Sequence, residues 1–280
     1  MTNIKKINMD LSGMDFSQDH WPIVHKSQIP NLSTEFYGTD NREDFLLNLQ
    51  KMPSDWIYRD RKINYKFNSV GLRMDKELDR IDSRYMIGIG CSHTVGVGVN
   101  LNDTWLHLVA NELNLDYINN SASGSSVKLC AINFFNMLGK LDKLPLIVAF
   151  SWPSTMRYCF YSNDGFVFYL PRFISEDINL KYHTKAYENL IMTDALNKEA
   201  IFYRNMIKIT CDRLGIKYAE FTFDSLDKID NMPVAYIDVH DRTFNTGYAR
   251  DIRSRTDTGY VSHPGTAAHL IAKKLILEQI

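Results

Sequence analysis

Two rhythms of apolar and polar positions run along this chain, and they change over near Tyr85. Before it, aromatic residues sit singly among polar ones and no long period holds. Asp40–Met52 is the exception: Phe45, Leu46 and Leu49 share a helical face, Asp40 can cap the start, and Pro53 ends it. Trp56–Tyr58 and Ile63–Phe67 read as short strands, and the turn-rich Asn68–Arg73 follows. With few aliphatic residues of its own, the stretch 1–80 is expected to be an N-terminal extension packed on a core formed by 81–280.

From Tyr85 onward, strand and helix patterns alternate. Met86, Ile87 and Ile89, with Gly88 and Gly90 between and after them, predict a buried strand that ends abruptly before Cys91-Ser92. Asp103 can cap a helix over 104–113 with Trp105, Leu108, Val109 and Leu113 inward, and Tyr117–Asn119 reads as a second strand. After the small-residue loop Asn120–Ser126, a helix is expected over 127–138, ending near Gly139. Leu144–Phe150 is an almost unbroken apolar run, as in a strand covered on both faces. Strands alternating with helices imply an α/β fold, a three-layer α/β/α sandwich with a mostly parallel, flavodoxin-like sheet. The rhythm breaks at an insertion of about 152–182, where Tyr158–Tyr169 predicts a hairpin turning at Asn163-Asp164-Gly165. Helical pattern returns over 184–214 and stops at Gly215. Strands over 218–223 and 234–238, an irregular polar stretch 238–262, and a helix 266–278 with Leu270, Ile271, Leu275 and Ile276 on its apolar face complete the chain.

Composition narrows the function classes. At 280 residues and 45% hydrophobic, the chain can bury a large core. A net charge of −1 without like-charge blocks lacks the footprint of a nucleic-acid binder. The longest apolar runs fall far short of a bilayer span, and the N-terminal residues lack the apolar core of a secretory signal. Cys91, Cys130, Cys159 and Cys211 are widely spaced, which argues against zinc sites and disulfide frameworks. A cytoplasmic protein with no cofactor, no membrane contact and a small-molecule partner is the expectation. Asp238-Val239-His240-Asp241 reads as surface hydrogen bonding in preference to a metal site, and the aromatics from Trp152 to Phe168 read as hairpin packing in preference to a sugar-binding wall.

The loops after the strands carry the candidate chemistry, because open α/β sheets bind ligands at the carboxyl ends of their strands. Ser92 follows the first strand, Gly124 the second and Ser151–Arg157 the third, while His263 immediately precedes the last helix. A serine needs a base to become a nucleophile, and histidine suits that role near neutral pH. Amides at Ser92 and Gly124 can donate to an oxyanion.

These segments resemble, in order and spacing, the blocks of the SGNH (GDSL-like) hydrolases. Gly90-Cys91-Ser92-His93-Thr94 is similar to the first block, with Cys91 where an aspartate is usual; Asn119–Gly124 resembles the second and His263-Pro264-Gly265 the fifth, and Asn68–Arg73 looks like a lead-in found in many members that act on acylated carbohydrates. The resemblance implies a serine esterase in which Ser92 attacks, His263 is base and then acid, and Gly124 lies in the oxyanion hole. It implies an ester substrate such as an O-acetyl group on a carbohydrate. The chain departs from the pattern twice. The asparagine of the third block is absent, leaving Ser154, Thr155 or Arg157 as substitutes, and the position three residues before His263 is Tyr260, leaving Asp251 and Asp257 as candidates to orient the histidine. Ala249-Arg250-Asp251 looks like the usual lead-in, as if 252–261 were inserted before His263. A non-catalytic glycan-binding relative and an O-acyltransferase are the alternative readings.

Overall fold

The computed structural model of the chain describes residues 22–162, 165–169, 189–190, 193–223, 234–237, 249–255 and 259–280. In chain order the elements are β1 (Ser33–Thr34), α1 (Arg42–Lys51), β2 (Tyr65–Lys66), β3 (Tyr85–Gly90), α2 (Ser92–Val95), α3 (Trp105–Glu112), β4 (Asp116–Ser121), α4 (Val127–Lys140), β5 (Ile147–Trp152), β6 (Tyr158–Ser162), β7 (Gly165–Tyr169), α5 (Ala195–Leu214), β8 (Lys217–Thr222), β9 (Ala235–Tyr236), β10 (Arg253–Arg255), β11 (Gly259–Val261) and α6 (Thr266–Leu277).

The main sheet has the order β4-β3-β5-β8-β9, and every neighbouring pair in it is parallel. Successive strand residues face opposite sides. Ile87, Ile89, Val148 and Phe150 pack with Phe134 of α4 and Ile207 of α5, while Met86, Ile147 and Ala149 pack with Trp105 and Val109 of α3 and with Ala272 and Ile276 of α6. Helices therefore cover both faces, and the three-layer α/β/α sandwich is as expected. The chain leaves β3 toward β4 and returns across β3 to β5, so the crevice between the carboxyl ends of β3 and β5 is the switch point at which such sheets bind ligands.

The front segment packs on this core through a third cluster. Tyr37, Trp56, Tyr58, Ile63, Tyr65 and Phe67 meet Val95, Val97 and Ile252, all buried. Within it, strand structure is limited to β1 and β2, paired antiparallel, and Trp56–Tyr58 is turn, not strand. Helix α1 is capped by Asn41, whose side chain accepts the Asp44 amide; Asp40 is buried instead against an arginine, and Leu46 is exposed.

Other boundaries moved for local reasons. The hydroxyl of Thr104, not Asp103, caps α3 by accepting the His107 amide, and Leu106 of that helix is buried beneath Gly88. Helix α4 continues through Gly139. Strand β5 begins at Ile147 and runs on to Trp152, leaving Leu144 and Leu146 exposed. On α6 the inward face is Ala268, His269, Ala272 and Ile276, whereas Leu270 and Ile271 face out. The hairpin pairs as expected, with Ser162 opposite Gly165. Residues 170–188 and 238–248, with the Asp238–Asp241 cluster, lie outside the described residues. Among the described residues, no helix is long and apolar enough to cross a membrane.

Candidate active site

Ser92 opens the one-turn helix α2 directly after β3. The turn is tight because Gly90 has no side chain: a Cβ there would lie 2.2 Å from Thr94 Oγ1 and 2.8 Å from the Ser151 carbonyl. The Cys91 carbonyl accepts the amides of Thr94 and Val95, and Gly96 ends the turn in the left-handed region at φ 79°. Beyond it, the buried guanidinium of Arg73 donates to the carbonyls of Val95, Gly96 and Val99 and lies over the Tyr65 ring. The lead-in Asn68–Arg73 thus clamps the loop that follows the serine. Ser92 itself is half-buried, within reach of solvent.

His263 lies across from it. Its Nε2 is 2.9 Å from Ser92 Oγ, and its Nδ1 is 2.5 Å from Asp251 Oδ2. The other carboxylate oxygen, Oδ1, accepts the His263 amide at 3.2 Å and the Ser262 hydroxyl at 3.3 Å. With Nδ1 donating to the carboxylate, the lone pair on Nε2 faces the serine hydroxyl, the orientation a general base requires. The side chain of Asp251 is wholly buried and that of His263 nearly so.

The sequence separation of this pair has a simple structural cause. Strands β10 and β11 pair antiparallel, Arg253 opposite Val261, so Val261 returns beside the start of β10. Next to this pairing the Ala249 amide donates to the His263 carbonyl at 3.1 Å, and Asp251 and His263 face each other. Tyr260, three residues before the histidine, sits in β11 opposite Ser254. Asp257 lies outside the described residues. Gly98 admits this segment: its φ is +81°, a Cβ would lie 2.4 Å from Ala249 Cβ, and its carbonyl accepts the Arg250 amide at 2.9 Å.

Gly124 lies in the turn after β4, where the Ser125 amide donates to the Ala122 carbonyl. Its φ of +75° explains the glycine, since a Cβ would meet nothing within 4 Å. Close packing is therefore not what demands glycine there. Among the described residues, neither the Ser92 nor the Gly124 amide meets an acceptor. Sequence reading did not anticipate Gln28, which is buried: its Oε1 accepts the Ser123 amide at 2.8 Å and its Nε2 donates to the Ser121 carbonyl at 3.1 Å. The adjacent Asn119 and Asn120 are buried and donate to the carbonyls of Thr94 and Asn133.

Of the candidates after β5, Thr155 has its donor engaged elsewhere, its Oγ1 donating to Asn197 Oδ1 at 2.6 Å, while Ser154 Oγ accepts the Met156 amide. Arg157 is near enough to Cys91 to act on its thiol. Burial alone would push that thiol up, but the positive charge of His93 and Arg157 outweighs it and brings the group down to about 5. His93 stacks edge-on against His263, with ring centroids 5.3 Å apart, and against Phe223.

Among the described residues no cluster of three or more histidine, cysteine or acidic side chains is arranged to hold a metal. A cavity of about 190 Å³ lined by Met74, Lys76, His107 and Tyr117 opens at the amino end of β4, at the opposite end of the sheet from Ser92.

No family model and no curated protein matches the chain. Solved structures similar to it include a member of the lipolytic G-D-S-L family from Veillonella parvula, 14% identical over 70% of this chain and 97% of that one, with a TM-score of 0.32. A putative lipolytic protein of the same family from Desulfitobacterium hafniense is 12% identical over 70% and 99% of the two chains, with a TM-score of 0.30. An acetyl xylan esterase from the rumen bacterium Butyrivibrio proteoclasticus is 14% identical over 71% and 63%, with a TM-score of 0.33. Likenesses this distant carry no inference about chemistry, which comes from the side chains.

Proposed function

We propose that this protein is a serine ester hydrolase of SGNH type. The observation that supports the reading is the unbroken hydrogen-bonded line from Ser92 Oγ through His263 to the buried Asp251 carboxylate. In the proposed reaction His263 Nε2 takes the Ser92 proton as Oγ forms a bond to the ester carbonyl carbon. The amides of Ser92 and Gly124 receive the oxyanion. Collapse of the tetrahedral species breaks the bond to the alcohol, which leaves with the proton from His263. Water, deprotonated by the same nitrogen, then attacks the acyl-serine and releases the acid. Asp251 holds the imidazole tautomer and stabilises its charged form. No step calls for a metal.

The resemblance of the sequence blocks supports the finer part of the proposal, that the ester is a small acyl group such as O-acetyl on a carbohydrate. The non-catalytic alternative rests on the missing third-block asparagine and the displaced aspartate; against it, the contact between Asp251 Oδ2 and His263 Nδ1 supports Asp251 as the orienting carboxylate.

The test is reaction with a fluorophosphonate, wild type beside Ser92→Ala, read by intact mass. One adduct on the wild type and none on the variant is expected. A folded wild type that takes up no probe overturns the proposal.

A further inference from the structure

We infer that Thr39, in the front segment and 212 residues from Asp251 in sequence, is a positioning residue for the catalytic carboxylate, an inference that rests on the hydrolase reading above. Thr39 Oγ1 donates to Asp251 Oδ2 at 2.7 Å, the same oxygen that takes the His263 Nδ1 proton, and it lies 3.4 Å from that nitrogen. The hydroxyl thereby fixes which lone pair of the carboxylate faces the histidine.

The chain around Thr39 is built to hold it there. Tyr37 and Asp40 exchange both backbone hydrogen bonds, at 2.9 and 3.1 Å, so Gly38 and Thr39 form the tip of a two-residue turn. Gly38 takes the left-handed conformation such turns need, with φ 64°. Each foot of the turn is tied to a different part of the site. The Tyr37 hydroxyl meets Ser123 Oγ at 2.9 Å, beside Gly124, and also accepts from Ser27. The Asp40 carboxylate takes Arg250 Nε at 2.9 Å and Nη2 at 2.7 Å, with both side chains fully buried, and takes the Tyr65 hydroxyl at 2.6 Å. Tyr65 in turn accepts the Gly98 amide at 2.7 Å.

Two neighbouring pairs result. Thr39 and Asp40 face Asp251 and Arg250, residue against residue. The ion pair sets the register of the two backbones, and in that register the Thr39 hydroxyl falls on the carboxylate. A bidentate arginine–carboxylate pair has the directional precision for that task. Thr39 has no hydrogen bond to Ser92 among the described residues, and its short contact is to the carboxylate, so it acts through Asp251.

The experiment compares Thr39→Val, which keeps the shape and removes the donor, with Thr39→Ser, which keeps the donor. Steady-state hydrolysis of p-nitrophenyl acetate is measured together with the low-field proton resonance of His263 Nδ1–H, assigned by its loss in His263→Ala. Thr39→Val is expected to lower kcat about 10-fold with KM within about 2-fold, the size of one hydrogen bond to a charged group. It is also expected to move the low-field resonance, and Thr39→Ser to restore both. Should Thr39→Val fail to fold, Thr39→Ala carries the same expectation. Wild-type kcat and an unmoved resonance in a folded variant overturn the inference, as does a fall in thermal stability alone. A wild type that turns over no ester counts against the hydrolase reading, while the resonance still decides the role of Thr39.

Discussion

Replacing Asp251 by asparagine changes one heavy atom and reverses two hydrogen bonds. Among the described residues, the carboxylate accepts from Thr39 and His263 Nδ1 on Oδ2, and from Ser262 and the His263 amide on Oδ1. A carboxamide must put its NH2 on one side or the other. On the Oδ1 side it would oppose the His263 backbone N–H, a donor that cannot turn around. On the Oδ2 side the Thr39 hydroxyl can rotate to accept, and His263 can place its proton on Nε2 and accept at Nδ1. The second arrangement satisfies every group, and it leaves an N–H facing Ser92 where the base should be. The substitution should therefore leave the fold and the binding of ester intact and remove the general base. In the serine protease triad the equivalent wrong tautomer costs about 10⁴-fold in kcat, roughly 5 kcal/mol of barrier. Steady-state kinetics on p-nitrophenyl acetate, with circular dichroism to verify folding, measure the loss. A folded Asp251→Asn within 10-fold of wild type refutes the argument, and so does a loss of that size in Asp257→Asn instead.

Two further predictions concern buried charge. His269 is fully buried and accepts the Trp105 amide at Nδ1, so protonation would set two N–H groups against each other; burial first, then the positive character of His93, Arg73 and His263, holds it down to about 3. Neutral in the fold and titrating normally when unfolded, it contributes stability that is complete above about pH 6.5 and lost as pH falls toward about 3, up to about 5 kcal/mol at about 1.4 kcal/mol per pH unit. Urea unfolding across that range should show the slope in wild type and lack it in His269→Gln; parallel slopes would exclude it. Arg250→Met strands the buried Asp40 carboxylate and should cost about 3–5 kcal/mol, with Asp40→Asn added to it recovering part of the loss. A cost below about 1 kcal/mol, read from the urea midpoint, would show that the pair is not what holds the two segments together.

The sheet and the position of Ser92 at its strand end were legible because their signals are local. An apolar strand closed by Gly90 and followed by a serine is read within eight residues, and the alternation of strand and helix after Tyr85 needs no distant partner. Asp251 was legible only as one of two candidates, because its approach to His263 depends on the pairing of β10 with β11, and that pairing is a tertiary fact. The inward face of α6 was misread for another reason. Hydrophobic periodicity assigns Leu270 and Ile271 to the core, but the helix presses on the sheet through Ala268 and Ala272, whose small size permits close approach, while His269 is wedged against Trp105 and Phe223. Thr39 had no sequence signal at all. Gly-Thr-Asp reads as an ordinary turn, and its target is far away in the chain.

The missing third-block asparagine has a consequence for the proposed chemistry. Of the residues that stand in its place, Thr155 donates its proton to Asn197 on α5, whereas Ser154 accepts the Met156 amide and keeps its own proton to donate, and the Arg157 guanidinium lies close enough to act on Cys91, next to the serine. On the hydrolase reading the oxyanion rests on two backbone amides, and a third donor has to come from Ser154 or Arg157 in place of the asparagine. A third donor of the usual kind is worth about 3–4 kcal/mol, and losing it slows acylation most for esters with poor leaving groups. Backbone amides, however, keep their positions only as well as the loops that carry them. Arg73 binds the loop after Ser92 by three carbonyls, and Gln28 binds the loop before Gly124 by an amide and a carbonyl. Both come from the front segment that also supplies Thr39. The segment that is least regular in secondary structure thus holds the loops of Ser92 and Gly124 and the Asp251 carboxylate, and on the hydrolase reading removing it would be expected to abolish turnover before it unfolds the sheet.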